Sequence, residues 1–146
     1  MSDKINKEQQ IERAFNEFCK KVISLDNRIR FAGIADENGE LKSIAEREGL
    51  KPLLSPEERA QYAITAATRQ FTRLRWEYKL GKIHYASSNF EKLRRATIPI
   101  TDENSILSYV LLLSFDPETN YFHQLITQKI IPLINENKLN LLKLHG

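Results

Sequence analysis

The run "SILSYVLLLSF" at residues 105–115 constrains the fold more than any other stretch of this 146-residue chain. A strand with one face in water alternates apolar and polar residues, whereas this run is apolar on both faces for most of its length. It is also far shorter than the roughly 20 residues that a membrane-spanning helix needs. The run therefore predicts a central β-strand that other layers of the fold cover on both faces.

Four other β-prone runs supply neighbours for that strand. The segment "RIRFAGIADENGELKSIAE" contains two of them around Asn38-Gly39, a pair that tolerates the positive φ of tight turns, and this predicts a hairpin with strands near 28–36 and 40–47. The runs at 82–90 and 92–100 carry more polar residues. We therefore expect these strands to lie nearer the edges of the sheet.

The stretch "LSPEERAQ" marks the beginning of a helix. Ser55 is a residue type that accepts from backbone amides as N-cap, Pro56 suits the first helical position, and Glu58 completes a capping box. We predict one long helix from residue 56 to about residue 80, ended by Gly81.

Apolar stripes at helical spacing predict one further helix towards each end of the chain. The first helix runs from about Lys7 to Leu25, and the second follows "DPETN" and carries Phe122, Leu125, Ile126, Ile130, Leu133 and Ile134. Pro132 removes a backbone hydrogen bond, so we expect a bend or interruption there and a separate turn beyond about residue 135. The leucines of that tail are expected to pack back or to bind something: Leu139, Leu141, Leu142 and Leu144.

The resulting order is helix, two strands, helix, three strands, helix. It predicts a single α/β domain over residues 1–146, with a core of about 8–134 and a C-terminal tail of 135–146. With "RIRFAGIADENGEL" as the opening hairpin and "YVLLLSFD" leading into the last helix, this succession resembles Roadblock-type domains. The "RIRFAGI…G" opening is also similar to that of short archaeal proteins.

The Roadblock resemblance implies a five-stranded antiparallel sheet between helices. The middle helix is expected on one face and the terminal helices on the other, with the fifth strand central and the second and third strands at the edges. Pro99 departs from this pattern because proline removes a ladder donor from an internal strand, so we expect it at the end of the fourth strand or in a bulge. A PAS-like or profilin-like sheet is the alternative architecture.

Charge and cysteine content limit the classes of function. The chain has 22 basic and 19 acidic side chains and a net charge of +3, and this slight surplus argues only weakly for nucleic acid, which needs clustered positive charge. The single Cys19 excludes an internal disulfide, and we expect it to be a small buried residue. The opening "MSDKINKEQQ" has no apolar signal core, so the cytoplasm is the expected location.

A helical wheel of residues 56–80 divides the helix into two faces. The side predicted to lie on the sheet carries Ala60, Ile64, Ala67, Phe71, Leu74 and Tyr78, and the outer side carries Tyr62, Ala66, Arg69, Arg73, Trp76 and Leu80. Trp, Tyr and Arg are enriched among interface hot spots, and arginines can stack beside the Trp ring. The outer side is therefore a candidate interface.

Roadblock-type domains commonly dimerise through the middle helix and the edge of the third strand. The resemblance thus implies a homodimer, and the partner-binding residues are predicted to be Tyr62, Arg69, Arg73, Trp76, Leu80 and His84, with the residues that follow His84 as far as Ser88. Two alternatives stay open: Trp76 folds against a loop while the arginines pair with acids such as Glu77, or the face binds nucleic acid.

Motifs of catalysis or cofactor binding are missing from the sequence. It has no Gly-rich phosphate loop, no metal-spaced Cys/His cluster and no nucleophile elbow, and His84, His123 and His145 lie far apart. Acidic residues around the Asn38-Gly39 turn are expected to stay solvated, and Arg94 and Arg95 should point to opposite faces of a strand. We therefore predict a non-enzymatic dimerising scaffold or regulatory adaptor without cofactor or metal; the alternative is a PAS-like small-molecule sensor.

Overall fold

The computed structural model describes the backbone of residues 3–143 and the side chains of residues 7–143. Its elements follow the predicted order. They are α1 (Asp3–Ile23), β1 (Ile29–Asp36), β2 (Leu41–Glu46), α2 (Pro56–Leu74), α3 (Glu77–Leu80), β3 (Ala86–Asn89), β4 (Arg94–Thr101), β5 (Leu107–Phe115), α4 (Phe122–Leu125), a π-helical turn (Ile126–Ile130) and α5 (Ile131–Lys143).

The five strands form one antiparallel sheet in the order β2-β1-β5-β4-β3. Strand β5 is central and all of its residues are buried, while β2 and β3 lie at the edges. This confirms the predicted fold class and the position of the fully apolar run.

Two apolar layers cover the sheet because successive side chains of a strand point to opposite faces. Leu111 and Leu113 of β5 pack with the terminal helices, whereas Val110 and Leu112 pack against α2. The layer under the terminal helices is the larger one and includes Phe15, Phe18, Ile126 and Ile130. The arrangement of helices that the resemblance implied is therefore confirmed.

The predicted beginning of α2 is confirmed in detail. The backbone N–H of Ser55 donates to Glu58 Oε1 over 2.9 Å, and the N–H of Glu58 donates to Ser55 Oγ over 3.1 Å. Both halves of the capping box are formed, so the amides of Ser55 and Glu58 at the start of the helix are paired.

The β1–β2 turn is fixed against α2 through Gly39. This residue has a φ of 86°, and a Cβ atom placed on it would lie 2.5 Å from the Ile64 Cα atom. Asp36 Oδ1 accepts from the N–H groups of Asn38 and Glu40 at 2.9 and 3.0 Å and stabilises the turn. The hairpin tip and the helix thus approach as closely as backbone allows.

The predicted extent of the middle helix is wrong at its end. Helix α2 stops at Leu74, where the N–H groups of Arg75 and Trp76 bond to carbonyls three residues earlier, and the short α3 follows. These tighter bonds close the helix without a glycine or proline. Gly81, with a φ of 84°, ends α3 instead.

The predicted face of α2 is also wrong. The buried residues are Ala63, Ala66, Ala67 and Gln70, whereas Ile64 and Phe71, which were assigned to the sheet, are 47% and 64% exposed. At 3.6 residues per turn this is a rotation of about a quarter turn. Alanines let the helix approach the sheet closely, and the larger apolar side chains are left outside.

The C-terminal helix is irregular before Pro132 rather than at it. The π-helical turn Ile126–Ile130 precedes Pro132, which then lies in the first turn of α5, where a missing amide is tolerated. The predicted separate turn beyond residue 135 is wrong, because α5 continues to Lys143 and buries Leu141 in the core. Leu139 is exposed, and Leu144 and His145 lie outside the described residues.

Pro99 lies inside β4, not at its end or in a bulge. It pairs with Val110 of β5 on one side, while β3 pairs only with residues 94–97 of β4. At Pro99 the strand β4 therefore has one neighbour, and the missing donor breaks no ladder bond on the side that β3 leaves open.

Candidate interaction surface

A narrow cleft separates one flank of α2 from β3 and β4, and we call it the α2–β3 cleft. It is lined by Tyr62, Ala66, Arg69 and Arg73 of α2, Ala86, Ser87 and Ser88 of β3, and Arg95 and Thr97 of β4. Three of the six predicted partner-binding residues, Tyr62, Arg69 and Arg73, thus lie together.

The lining of this cleft is positively charged and includes no acidic residue. Within residues 7–143, none of the guanidinium groups of Arg69, Arg73 and Arg95 forms an ion pair or a hydrogen bond with the protein. The alternative in which these arginines pair with acids such as Glu77 is wrong, because the Glu77 carboxylate accepts the N–H of Ile83 over 3.0 Å.

Arg95 and Tyr62 join the sheet to the helix inside the cleft. The guanidinium carbon of Arg95 lies 3.6 Å from the centre of the Tyr62 ring. Arg94 points to the other face of the sheet, where it stacks on Phe122, so the prediction of opposite directions is confirmed. A guanidinium stacked by its face keeps its edge N–H groups available for a ligand.

The outer edge of β3 borders the cleft. β3 pairs with β4 on one side, and within the described part of the chain no strand pairs with its other side. Its residues Ser87, Ser88 and Asn89 are exposed. An edge of this kind presents free N–H and C=O groups to an incoming strand.

An open groove continues from the cleft past the N-terminal half of α2, and we call it the apolar groove. Its apolar lining consists of Leu53, Leu54, Tyr62, Phe90 and Leu93, and Phe90 and Leu53 are 56% and 48% exposed. Tyr62, Arg69 and Arg95 line both the groove and the cleft.

The remaining predicted residues lie beyond the end of α2. Trp76 and Leu80 are 56% and 82% exposed and form a shallow hollow with Arg73 and Ile83, while His84 is exposed next to it. Trp76 does not fold under a loop, contrary to the alternative. Arg73 lines both this hollow and the α2–β3 cleft, so the predicted set forms one surface in two parts.

Sequence reasoning missed Arg95 and Phe90 as parts of this surface, whereas Ser87 and Ser88 lie within the stretch 84–88 that the Roadblock resemblance assigned to the contact. The alternation of β4 placed Arg94 and Arg95 on opposite faces, and an α2 helix lying on one face would have identified Arg95 as its neighbour. Phe90 lies in a hairpin whose register the sequence does not specify, and no signal pointed to it.

Other ionisable groups are held in structural contacts. Arg47 donates to both carboxylate oxygens of Asp116 over 2.8 and 3.1 Å, and these bonds hold the pKa of Asp116 below its usual range. Burial raises the pKa of the Cys19 thiol to about 11, so this thiol stays protonated. Tyr85 and His123 share a hydrogen bond on the other side of the sheet.

Two features are absent from the residues that the structure describes. Residues 7–143 include no group of three or more His, Cys, Asp or Glu side chains placed to hold a metal ion. None of the helices in residues 3–143 has the length and apolar character to cross a membrane.

The strand order, the position of α2 and the paired terminal helices define the Roadblock type of fold. One solved structure with this arrangement is the gliding protein MglB of Thermus thermophilus, with a TM-score of 0.63 at 15% identity over 92% of this chain and 89% of that chain. Another is MglB of Myxococcus xanthus, with a TM-score of 0.61 at 15% identity over 100% of this chain and 96% of that chain. A third, described as MglB with a tetrameric arrangement, has a TM-score of 0.64 at 16% identity over 92% of this chain and 88% of that chain.

The likeness to these structures shows the fold. No family model and no curated protein matches the sequence. Nothing in these comparisons bears on the similarity to short archaeal proteins, which stays a prediction.

Proposed function

We propose that the protein is a non-catalytic regulatory adaptor that associates with a second copy of itself through the β3-side flank of α2 and the edge of β3. The observation that carries this proposal is the juxtaposition of an unpaired strand edge with the arginine- and tyrosine-lined α2–β3 cleft. A cytoplasmic location remains the expectation from the sequence.

The residues of α2 on this flank are self-complementary. Glu58, Tyr62, Arg69 and Arg73 are spaced so that two antiparallel copies of α2 place Glu58 opposite Arg73 and Tyr62 opposite Arg69. The helix has no acidic residue between Glu58 and its end, so its charge runs from negative to positive. A two-fold axis requires this pattern of one residue contacting another and being contacted by it in return.

The centre of such a contact is small and apolar or weakly polar. Thr65 and Ala66 lie midway between Glu58 and Arg73, and Ala66 lines the α2–β3 cleft. Short side chains at the centre let two helices approach. The free β3 edge beside them offers further backbone hydrogen bonds to the second copy.

The solved structures support an assembling role. One of the similar proteins is described as MglB in a tetrameric arrangement, so this fold assembles in at least that protein. We therefore propose that this chain also assembles, and we propose no catalytic step for it.

Charge reversal tests the proposal directly. We expect the wild type to have the mass of a dimer in light scattering after size exclusion, and Arg73→Glu to shift it to a monomer because the new carboxylate faces Glu58 of the second copy. Combining Arg73→Glu with Glu58→Arg should restore the dimer, although Glu58→Arg also removes the bond from the Ser55 N–H to the Glu58 carboxylate and lowers the stability of α2. Arg75→Glu is the matched control, since Arg75 is exposed and absent from the lining of the cleft.

Other outcomes would point elsewhere. A monomeric wild type, or a dimer that Arg73→Glu leaves intact, contradicts self-association through this flank. A high ratio of absorbance at 260 to 280 nm in the purified protein would instead favour nucleic acid bound to the arginines, with an affinity that falls steeply with salt.

A further inference from the structure

The α2–β3 cleft and the apolar groove adjoin each other, so that a polar cavity lies next to an apolar one. Tyr62, Arg69 and Arg95 belong to both, and the Arg95–Tyr62 stack stands where the two parts meet. A surface with such a gradient fits a ligand that is itself polar at one end and apolar at the other.

The α2–β3 cleft collects hydrogen-bond donors for an anion. Arg69, Arg73 and Arg95 carry fixed positive charge, Ser87 and Ser88 add hydroxyl groups, and none of the lining residues of the cleft is acidic. The guanidinium fork matches the oxygens of phosphate and carboxylate groups. Because no carboxylate in residues 7–143 neutralises these arginines, the cleft attracts an external anion.

The apolar groove leaves large side chains in contact with water. Phe90 and Leu53 are about half exposed, and with Leu54, Leu93 and the Tyr62 ring they form the walls of the groove. Covering such a concave apolar surface is favourable. The groove lining is mixed in charge, with Glu58 and Glu91 beside Lys92, whereas the charged residues of the cleft are all arginines, so the cleft is the more favourable place for an anionic group.

We propose that the cleft and the groove together bind an organic oxyanion: its phosphate or carboxylate group lies in the α2–β3 cleft among Arg69, Arg73 and Arg95, and its flat apolar body lies along the groove against Phe90 and Leu93. The Tyr62 ring sits between the two parts and orients the ligand. This site goes beyond the adaptor role, and each copy contains all of the residues involved. A second copy bound through the same flank covers Tyr62, Arg69 and Arg73, so the ligand and the second copy compete for this surface.

Isothermal titration of the full chain with a matched set of probes tests this site. We expect phenyl phosphate to bind, inorganic phosphate to bind at least about tenfold more weakly because it lacks the apolar body, and phenol to give no heat because it lacks the charge. Benzoate compared with phenyl phosphate shows which anionic group the cleft prefers. Equal binding of phenyl phosphate and inorganic phosphate, or no binding of either aryl acid at millimolar concentration, overturns the proposal.

Variants separate the two ends of the site. Arg69→Gln should weaken phenyl phosphate about tenfold or more through the lost charged hydrogen bond, and Phe90→Ala should weaken phenyl phosphate while leaving inorganic phosphate unchanged. Arg75→Gln, on the same helix but outside the site, should leave all affinities unchanged. A loss of binding in Arg75→Gln equal to that in Arg69→Gln reflects general charge and contradicts a site.

Measuring the mass of the same samples keeps this test separate from that of self-association. A monomer that still binds phenyl phosphate refutes the dimer alone. A dimer that binds neither aryl acid refutes the ligand site only if monomeric Glu58→Arg, which keeps the three cleft arginines, also binds neither aryl acid.

Discussion

The guanidinium of Arg95 on strand β4 lies over the ring of Tyr62 on helix α2, with 3.6 Å between the guanidinium carbon and the ring centre. This contact ties the sheet to the helix at the wall that the α2–β3 cleft and the apolar groove share. It explains why Tyr62 is only half exposed although it lies on the flank of the helix.

A double-mutant cycle should measure this contact. Tyr62→Leu and Arg95→Met keep apolar volume but remove the ring and the cation, and we expect a coupling free energy of roughly 0.5–2 kcal/mol in urea unfolding. The matched cycle of Tyr62→Leu with Arg94→Met should give a coupling near zero, because Arg94 lies on the opposite face of the sheet. Equal coupling in both cycles would show that the effect is not local.

The orientation of α2 predicts effects of very different size at two neighbouring turns. Ala66→Leu forces a larger side chain into a buried contact and should lower the free energy of unfolding by roughly 1–3 kcal/mol. Phe71→Ser changes a side chain that is 64% exposed and should shift it by no more than about 0.5 kcal/mol. If Phe71→Ser were more destabilising than Ala66→Leu, the result would support the helix face with Phe71 that was predicted from the sequence to lie on the sheet.

Substitutions at two glycines of similar backbone conformation distinguish the cost of backbone strain from the cost of a steric clash. Gly39→Ala and Gly49→Ala both place a side chain at positive φ, but only the Gly39 Cβ atom meets another backbone, 2.5 Å from the Ile64 Cα atom. We expect about 1 kcal/mol of destabilisation at Gly49 and clearly more at Gly39. Chemical unfolding of both variants gives the comparison, and equal losses would exclude close packing of the hairpin on α2.

The buried amide of Gln70 predicts a stabilising substitution. Gln70 is fully buried, and its Nε2 and Oε1 atoms have no hydrogen-bond partner among the described residues. Gln70→Met keeps the length of the side chain and removes the unpaired polar atoms, so we expect the free energy of unfolding to rise by about 1 kcal/mol. A loss of stability in thermal or urea unfolding would mean that the amide is paired in solution.

The Asp116 ion pairs predict a pH dependence of stability. Bonds from Arg47 and Arg30 lower the pKa of Asp116 from its ordinary value of 3.8, so folded protein binds the proton less readily than unfolded protein. This contribution is fully present above the unfolded pKa and is lost as the pH falls through the folded pKa. Asp116→Asn should therefore be destabilised near neutral pH, and its difference from wild type should shrink below about pH 4.

Glu118→Gln is the matched control for Asp116→Asn. Glu118 lies two residues further along, is exposed, and forms no ion pair in the part of the chain that the structure describes. Urea midpoints of Glu118→Gln should follow those of the wild type across the same pH range. An undiminished Asp116→Asn difference at low pH would argue against the arginine pairs as its cause.

Much of the fold could be predicted from the sequence because its signals are local. The apolar run at 107–115, the Asn38-Gly39 turn and the Ser55 capping box each specify a conformation within a few residues, and all three are confirmed. Three errors concern α2 and α5, where the outcome depends on packing. On α2 the alanines, rather than the larger apolar residues, face the sheet because they allow closer approach. Pro132 of α5 is accommodated by a π-helical turn that lies before it.

The candidate surface could be predicted in part, because some of its residues are brought together by local helical spacing. Helical spacing brings Tyr62, Arg69 and Arg73 to one flank from the sequence alone. The contribution of Arg95 and Phe90 depends on which strands lie next to that flank, and this is a property of the sheet order. Partner binding by these residues stays a prediction.

The exposed position of Trp76 has a practical consequence. It is the single tryptophan of the chain, it is 56% exposed, and it lies beside Arg73 on the proposed contact surface. Its fluorescence emission should change little when the protein unfolds, because the indole already meets water, but should shift to shorter wavelength when a partner covers it. The chain thus carries a built-in optical reporter of association that needs no label.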